Sequence, residues 1–221
     1  MTGTRRWSVD VFNVYYDKYD EWYEEHPITY ENELRLVETV VEQYAGKNRD
    51  RCVEIGVGTG RFAAPLGCAY GVDPSLGMLL KARERGIQVV MGRAEQLPLA
   101  SGVFRLALLI VTLCFVEDPE AAISETARVL ARGGVAIACI VPRDTEWGQH
   151  YMALGGKGHP FYSRARFYTV EEVISLAEDQ GLAPGQVMAT LSYKPWEQPR
   201  HEKPRPYTGR EGFACVPLRK N

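Results

Sequence analysis

Three glycines at alternate positions, Gly56, Gly58 and Gly60, follow a short apolar run that contains one acidic residue, Glu54. Glycine lets the backbone turn sharply, and because it has no Cβ it leaves room for a flat ligand against the chain. The apolar run is typical of a buried strand, and the residues after the glycines are typical of a helix. This arrangement predicts a strand, a glycine turn and a helix that bind a nucleotide.

Two other interpretations of the turn compete with this one. The dinucleotide pattern G-x-G-x-x-G also follows a strand and opens a helix, with a pyrophosphate over the helix N-terminus. In that pattern a glycine would stand where this chain has Arg61, which argues against a nicotinamide-dependent oxidoreductase. A glycine turn can also be no more than a tight connection, so the rest of the chain must decide.

The wider sequence gives that decision. The turn E-x-G-x-G-x-G is followed by GVDPS (71–75), by GRAEQLPLASGVFRLALL (92–109) and by VTLCFVEDPEAAISETARVLARGGVAIA (111–138). In this combination the chain resembles the class I S-adenosylmethionine-dependent methyltransferases, in particular the type 11-like small-molecule group. The resemblance covers residues 51–142 and, more loosely, the last apolar run near Phe213. It implies S-adenosyl-L-methionine as the cofactor.

Strand and helix signals alternate from residue 51 to about residue 181, which indicates a parallel sheet covered on both faces. Ser75, Asp118 and Thr169 are predicted to cap helices. The resemblance implies an α/β fold: a Rossmann-like, doubly wound, seven-stranded sheet with an antiparallel last strand and helices on both faces. The predicted single domain comprises an N-terminal helical cap (1–48), a cofactor-binding core (49–142), a lid (143–168), and a last helix with a terminal strand hairpin (169–221).

The resemblance also assigns roles to residues at matching positions. Glu54 and the glycine backbone would hold the methionine part of the cofactor, and Asp73 would accept hydrogen bonds from both ribose hydroxyls. Val111 and Thr112 would face the reacting methyl group. The residues expected to bind the cofactor are Tyr15, Tyr19, Glu54, Gly56, Gly58, Gly60, Asp73, Pro74, Ala94, Glu95, Val111 and Thr112.

Adenine recognition is where the chain departs from the family pattern. Ala94 and Glu95 would lie beside the adenine ring, but the family commonly has an acidic residue where this chain has Arg93. A backbone carbonyl or Glu95 could replace that acceptor. A second departure, Arg105, lies at the far end of its predicted strand, where it would change only surface pairing.

Composition is that of an ordinary globular domain. The chain has 221 residues, of which 24% are charged and 45% hydrophobic, and a formal net charge of −2 that gives no overall attraction to nucleic acid. No apolar run has membrane-spanning length, and no apolar core follows the basic residues near the N-terminus. We therefore expect no membrane partner and no secretory signal, and predict a cytoplasmic location.

The cysteines and histidines predict no metal site. Cys52, Cys114, Cys139 and Cys215 lie in or beside apolar, strand-like runs and are expected to be buried, inert thiols. The sequence has no C-x-x-C pair, and its four histidines are scattered.

Two segments outside the predicted core would determine the substrate. In the first, residues 9–36, Tyr15 and Tyr19 belong to a run of aromatic residues at helical spacing, which either packs on the core or contacts the cofactor. The second, residues 142–169, we interpret as the lid. In it, His150 or His159 could act as the base for a hydroxyl or amine substrate, and a structural hydrogen-bond role is the alternative.

These observations predict a methyltransferase that moves a methyl group to an O, N, S or C atom of a small-molecule substrate by in-line displacement. The alternatives are a cofactor-binding regulatory protein without transfer activity, or an RNA or protein methyltransferase. Residues 194–221 carry seven Lys and Arg against three Glu, a modest net of +4, and no base-methylation signature is present. Nucleic acid is therefore not the expected partner, and a homodimer is left open.

Overall fold

The computed structural model describes residues 9–46 and 49–221. The strands within these ranges are β1 (Cys52–Ile55), β2 (Tyr70–Asp73), β3 (Gln88–Met91), β4 (Phe104–Ile110), β5 (Leu130–Ile140), β6 (Leu182–Pro184), β7 (Met188–Thr190), β8 (Arg205–Pro206) and β9 (Phe213–Lys220). The α-helices are α1 (Val9–Val14), α2 (Tyr16–Glu25), α3 (Pro27–Ala45), α4 (Ala63–Leu66), α5 (Leu76–Glu84), α6 (Pro119–Val129), α7 (Glu146–Gly156) and α8 (Val170–Asp179). A short 3-10 helix spans Leu113–Phe115.

One sheet contains all of these strands, in the order β3-β2-β1-β4-β5-β9-β7-β8, with β6 also paired to β9. Strands β1 to β5 run parallel to their neighbours, whereas β9 is antiparallel beside β5. The strand order changes direction between β1 and β4, and a doubly wound sheet binds ligands at the carboxyl ends of the strands at such a point. The predicted fold class, with an antiparallel last strand, is confirmed.

The sheet has nine strands rather than seven within the described residues, because the strand expected after the last helix is interrupted. Pro184 lies opposite Leu218, and Met188 lies opposite Cys215, so four steps along one strand match three along the other. The extra residue breaks the strand into β6 and β7, as a bulge does. Tyr44 of α3 occupies the break, where its hydroxyl accepts a hydrogen bond from the amide of Gln186 at 2.7 Å. The two-residue β8 adds an outer edge.

Both faces of the sheet are covered. Side chains alternate along β5: Val135 and Ile137 point into the core beneath α3 and α5, while Ala136 and Ala138 point into the core beneath α6 and α8. All four are at most 2% exposed. Strands buried on both faces have continuous apolar sequences, which is why these runs do not alternate between apolar and polar residues.

The predicted helix starts agree with the structure. Ser75 accepts a hydrogen bond from the amide of Met78, Asp118 from that of Ala121, and Thr169 forms a capping box at the start of α8. Helices α1, α2 and α3 lie in the segment predicted as a cap, and α7 lies in the segment predicted as a lid. Within residues 9–46 and 49–221, none of the helices is both long and apolar enough to cross a membrane.

The prediction of free thiols is wrong for three of the four cysteines that it named. Cys139 and Cys215 lie opposite each other on β5 and β9, with Cα atoms 4.0 Å apart, and form a disulfide. Cys52, at the start of β1, forms a second disulfide with Cys68, which follows α4. Cys114 is a free, buried thiol as expected. The register between β5 and β9 brings Cys139 to Cys215, whereas the turn after α4 brings Cys68 to the start of β1. No spacing in the sequence indicates either pair.

Candidate functional site

The glycine turn between β1 and α4 is held against β2 by the backbone. The amides of Gly56 and Val57 both donate hydrogen bonds to the carbonyl oxygen of Val72, at 2.8 and 3.0 Å. Gly56 has a φ of 73°, and a Cβ added to it would lie 2.5 Å from Cγ2 of Thr112. Both the left-handed backbone conformation and the lack of space therefore require glycine here.

Asp73, the last residue of β2, is fixed by this turn. The amide of Gly58 donates to its Oδ2 at 3.0 Å, and the amide of Ser75 donates to its Oδ1 at 2.8 Å. The residue is 8% exposed, and burial raises the pKa of its carboxyl to about 6 despite these two donors. Each oxygen retains a lone pair for one further donor, so the carboxylate can accept both hydroxyls of a diol.

Glu54, in β1, is a buried carboxylate that lacks a complete set of partners. It is 2% exposed, and no group among the described residues hydrogen-bonds to its Oε2. Burial, opposed by a backbone hydrogen bond from Ala63 and reinforced by the charge of Asp73, raises its pKa well above the usual range. A buried acceptor without a partner is costly, and a ligand ammonium would remove that cost.

A cleft opens at the carboxyl ends of β1, β2 and β4 and encloses about 720 Å³, its mouth included. The predicted site residues that line it are Tyr19, Gly56, Gly58, Asp73, Pro74, Ala94, Glu95, Val111 and Thr112. Glu54 and Gly60 belong to the adjoining strand and turn but do not line the cleft. Tyr15 is 42% exposed, and its ring contacts Phe161 instead.

The cleft is also lined by residues that were not among those expected to bind the cofactor. Phe12, from α1, packs edge-on against Phe115 with ring centroids 4.9 Å apart, so the two rings close one side of the cleft. Their aromatic character was visible in the sequence, but their convergence was not. The complete set of additional residues is Phe12, Met78, Gly92, Arg93, Ile110, Phe115 and Val116.

Arg93, the departure noted at the adenine end, is neutralised by its neighbours. Its Nη2 lies 3.3 Å from Oε1 of Glu95 and 3.1 Å from Oε2 of Glu117. The amide of Glu117 also donates to Oε1 of Glu95, at 2.8 Å. The guanidinium is therefore part of a local ion-pair cluster and does not bring an unpaired positive charge to the cleft.

A second cavity, of about 1080 Å³ with its mouth, adjoins the cleft. Tyr19, Val111 and Phe115 line both spaces and so form the boundary between them. Eight aromatic side chains line the second cavity: Tyr19, Trp22, Tyr23, Phe115, Tyr151, Phe161, Tyr162 and Phe167. Most of these residues come from α2, from α7 and from the segment that follows α7, which are the parts of the chain predicted to determine the substrate.

Val111, on this boundary, has an unusual backbone conformation. Its φ is 53°, and a left-handed conformation is strained for a β-branched residue. Its amide donates to the carbonyl oxygen of Cys139 at 2.9 Å, which holds the strained residue at the end of β4. Such strain costs on the order of 1–3 kcal/mol and is concentrated at functional sites.

The two histidines predicted as bases lie in different places. His159 lines the second cavity, where its ring stacks on Tyr162 with centroids 4.3 Å apart. Burial and the charge of Lys18 lower its pKa, which favours the neutral imidazole that can accept a proton. His150 does not line the second cavity; it lines a third, which adjoins the second through side chains that include Tyr151 and His159.

No group of three or more His, Cys, Asp or Glu side chains in the described residues is arranged to hold a metal ion. The cleft instead presents a glycine turn and the buried carboxylate of Asp73, which can accept two hydroxyl groups. In the adjoining strand, the Oε2 atom of Glu54 has no hydrogen-bond partner among the described residues. Together, the fold and the cleft define an α/β protein that binds a nucleoside-containing cofactor at the carboxyl ends of its strands.

Comparison with known proteins identifies the family. Residues 53–138 match the family model of the methyltransferase domain. The chain is 33% identical to an uncharacterized protein of Methanocaldococcus jannaschii over 96% of this chain and 100% of that protein. It is 41% identical to an uncharacterized protein of Mycobacterium tuberculosis over 74% of this chain, but the match spans only 56% of that longer protein.

A crystal structure from Thermotoga maritima is similar over almost its full length. That protein is described as a S-adenosylmethionine-dependent methyltransferase and possible histamine N-methyltransferase. It is 37% identical, with a TM-score of 0.89 over 96% of this chain and 99% of that one. The chain therefore belongs to the S-adenosylmethionine-dependent methyltransferases, and S-adenosylmethionine is its cofactor.

The residues at the cleft fit this cofactor. The Oε2 atom of Glu54 needs a donor such as the ammonium of a methionine moiety. The turn at Gly56 brings the backbone close to the ligand, and Asp73 presents two oxygens for the ribose hydroxyls. The assignment of each residue to its part of the cofactor stays a prediction.

Proposed function

We propose that this protein transfers the methyl group of S-adenosylmethionine to a nucleophilic atom of a small molecule held in the second cavity. The observation that carries the proposal is the shared boundary: Tyr19, Val111 and Phe115 line both the cofactor cleft and the second cavity. A nucleophile in the second cavity would therefore lie next to the cleft that would hold the cofactor.

The size and lining of the second cavity support a small substrate. Ligand pockets for small molecules commonly occupy about 300–1,000 Å³ and are lined mainly by apolar and aromatic side chains, with few polar groups. The second cavity has about 1080 Å³ including its mouth, and polar groups such as Glu33, Cys114 and His159 stand among its aromatic residues. The Thermotoga protein is described as a possible histamine N-methyltransferase, which supports a small nitrogen nucleophile for this chain.

The chain's own contribution would be to bind, orient and exclude water. S-adenosylmethionine supplies a methyl group already activated by its sulfonium. Tyr19 and Phe115 would hold the substrate against the cleft, and alignment of this kind can lower a barrier by roughly 7–11 kcal/mol. His159 would accept a proton from a protonated nucleophile, for which general-base catalysis contributes on the order of 10²–10⁴-fold.

Two measurements test the proposal in order. Calorimetry should show binding of S-adenosylmethionine and of S-adenosylhomocysteine but not of a nicotinamide dinucleotide. A screen with methyl-labelled cofactor against small-molecule, RNA and protein acceptors should then show label in the small-molecule fraction. Label confined to RNA or protein would contradict the substrate class, and binding without transfer to any acceptor would favour a regulatory protein.

His159→Ala should slow transfer without weakening cofactor binding, because His159 lines the second and third cavities and is not among the residues that line the cofactor cleft. An unchanged rate would remove His159 as a base. The same measurement on His150→Ala asks whether His150, which lines only the third cavity, takes any part in transfer.

A further inference from the structure

Glu33, on α3, is a buried acidic side chain of the second cavity to which the cofactor assigns no role. The residue is 7% exposed and lines the cavity. Among residues 9–46 and 49–221, no hydrogen bond or ion pair reaches its carboxylate. Within the part of the chain that the structure describes, Glu33 is thus a buried carboxyl group without a partner in an aromatic cavity. An isolated buried charge is strongly disfavoured unless a partner is present.

From this geometry we infer that Glu33 binds the ammonium group of the substrate, and that the second cavity accepts organic amines rather than neutral alcohols or carboxylates. This inference rests on the proposed function and names its substrate class. An ammonium would supply the donors that the Glu33 carboxylate lacks, and the resulting ion pair would be hydrogen-bonded and shielded from water.

The aromatic lining is suited to the same cation. Tyr151 and Tyr162 are stacked with ring centroids 4.4 Å apart, and Tyr162 also stacks on His159. Glu33 lines the same cavity as this stack. Aromatic faces attract ammonium groups, and the attraction is larger where water is excluded.

The charges around the cavity favour a cation and disfavour an anion. Glu21 and Glu25 line it together with Glu33, against a single lysine, Lys18. A carboxylate substrate would meet the two exposed acidic side chains, Glu21 and Glu25, against one lysine, in addition to the buried carboxyl group of Glu33. The other titratable groups that line the cavity are Tyr19, Tyr23, Cys114, Tyr151, His159 and Tyr162.

Binding of an amine to Glu33 should be detectable as a release of protons. Burial raises the pKa of the free carboxyl to about 8, so Glu33 carries a proton at neutral pH before the substrate binds. An incoming ammonium would favour the carboxylate, and the displaced proton would go to the buffer. Binding of an amine at pH 7 should therefore release close to one proton, and this release should be absent without Glu33.

The test compares three probes of similar size, 2-phenylethylamine, 2-phenylethanol and phenylacetate, on protein saturated with S-adenosylhomocysteine. The proteins are the wild type, Glu33→Gln and the matched control Glu38→Gln, which changes an exposed residue of the same helix. Calorimetry in two buffers of different ionisation enthalpy gives both the affinity and the number of protons released.

We expect the amine to bind at least tenfold more tightly than the alcohol or the acid, with proton release. Glu33→Gln should weaken amine binding at least tenfold and abolish proton release, yet leave the affinity for S-adenosylhomocysteine unchanged. Glu38→Gln should behave as the wild type. Equal binding of the three probes, no binding of the amine, or unchanged amine binding by Glu33→Gln would overturn the inference.

Failure of the inference and failure of the proposed function are distinguishable. If neither S-adenosylmethionine nor its product binds, or if no acceptor of any class is methylated, the proposed function fails. If the labelled methyl group is transferred to alcohols, thiols or acids but not to amines, the proposed function stands and the role of Glu33 is refuted.

Discussion

Replacement of Glu33 by glutamine should raise the free energy of unfolding of the ligand-free protein, and the increase should grow with pH. Glu33 is buried in an aromatic cavity, and desolvation raises its pKa from an ordinary value of 4.5 to about 8. In the unfolded chain the same carboxyl ionises freely. The folded state therefore binds one more proton than the unfolded state between these two pKa values.

The sign and size follow from that difference. Below about pH 4.5 Glu33 is protonated in both the folded and the unfolded state, so its ionisation does not change the free energy of unfolding. Between pH 4.5 and 8 the folded state keeps the proton that the unfolded state has lost, so stability falls as pH rises, by about 1.4 kcal/mol per pH unit. At pH 7 this amounts to about 3 kcal/mol, which for a chain of this size corresponds to roughly 6–12 °C in Tm.

The assay is urea unfolding of the wild type, Glu33→Gln and Glu38→Gln at pH 5, 6, 7 and 8 without ligand. A buried amide can add a constant penalty of its own, so the slope with pH tests the reasoning better than any single value. We expect the stability difference between Glu33→Gln and the wild type to increase by about 1.4 kcal/mol per pH unit from 5 to 7. A difference that does not change with pH would refute the raised pKa.

Three further predictions concern the cofactor cleft and the frame of the sheet. Asp73→Asn should weaken S-adenosylmethionine binding by about 10–150-fold, since a hydrogen bond to a charged group contributes about 1.5–3 kcal/mol. Burial raises the pKa of Asp73 to about 6, so the wild-type affinity for the cofactor should also fall as the pH drops through 6. The double variant Cys139→Ala, Cys215→Ala lacks the disulfide between residues that are 76 positions apart in the sequence. Its free energy of unfolding in urea should be lower than that of the wild type by up to about 4.5 kcal/mol. Val111→Gly should relieve the left-handed strain and raise stability by about 1 kcal/mol, while slowing methyl transfer.

Each of these outcomes has a contrary result. Calorimetry that gives unchanged affinity for Asp73→Asn, or a flat affinity between pH 5 and 7.5, would remove Asp73 as the ribose acceptor. Equal free energies of unfolding for the double variant and the wild type would show that the Cys139–Cys215 disulfide adds no stability. A less stable Val111→Gly variant would mean that packing of the valine side chain outweighs its backbone strain.

The cofactor half of the site was predictable because its chemistry is local. Gly56, Gly58 and Glu54 lie within five residues, and a turn of this kind allows few alternatives to glycine. Asp73 ends the strand next to β1, so parallel pairing alone brings it to the turn. The resemblance also implied the doubly wound sheet and its antiparallel last strand, and both are present.

The substrate half was not predictable in the same way. Glu33 lies on a helix rich in acidic residues, where most carboxylates are solvated, and only its burial distinguishes it from Glu31 and Glu38. Phe12 was one of many aromatic residues in the cap. The pairing of Cys139 with Cys215 depends on the register between two strands that are far apart in the sequence. These features arise from tertiary packing, and no local pattern encodes them.

Arg61 has a structural role that the sequence did not indicate. Its presence argued against a dinucleotide turn, but the structure gives it a partner: its Nε lies 2.8 Å from Oδ1 of Asp20 in α2. Arg85 and Thr59 also donate to this carboxylate, so that these donors, against partial burial, hold the pKa of Asp20 below its usual range. The same helix carries Tyr19 to the boundary of both cavities. The ion pairs of Asp20 therefore connect the glycine turn to α2, which carries Tyr19 on the boundary of the two cavities. Under the proposed function, these side chains would position both the cofactor and the substrate.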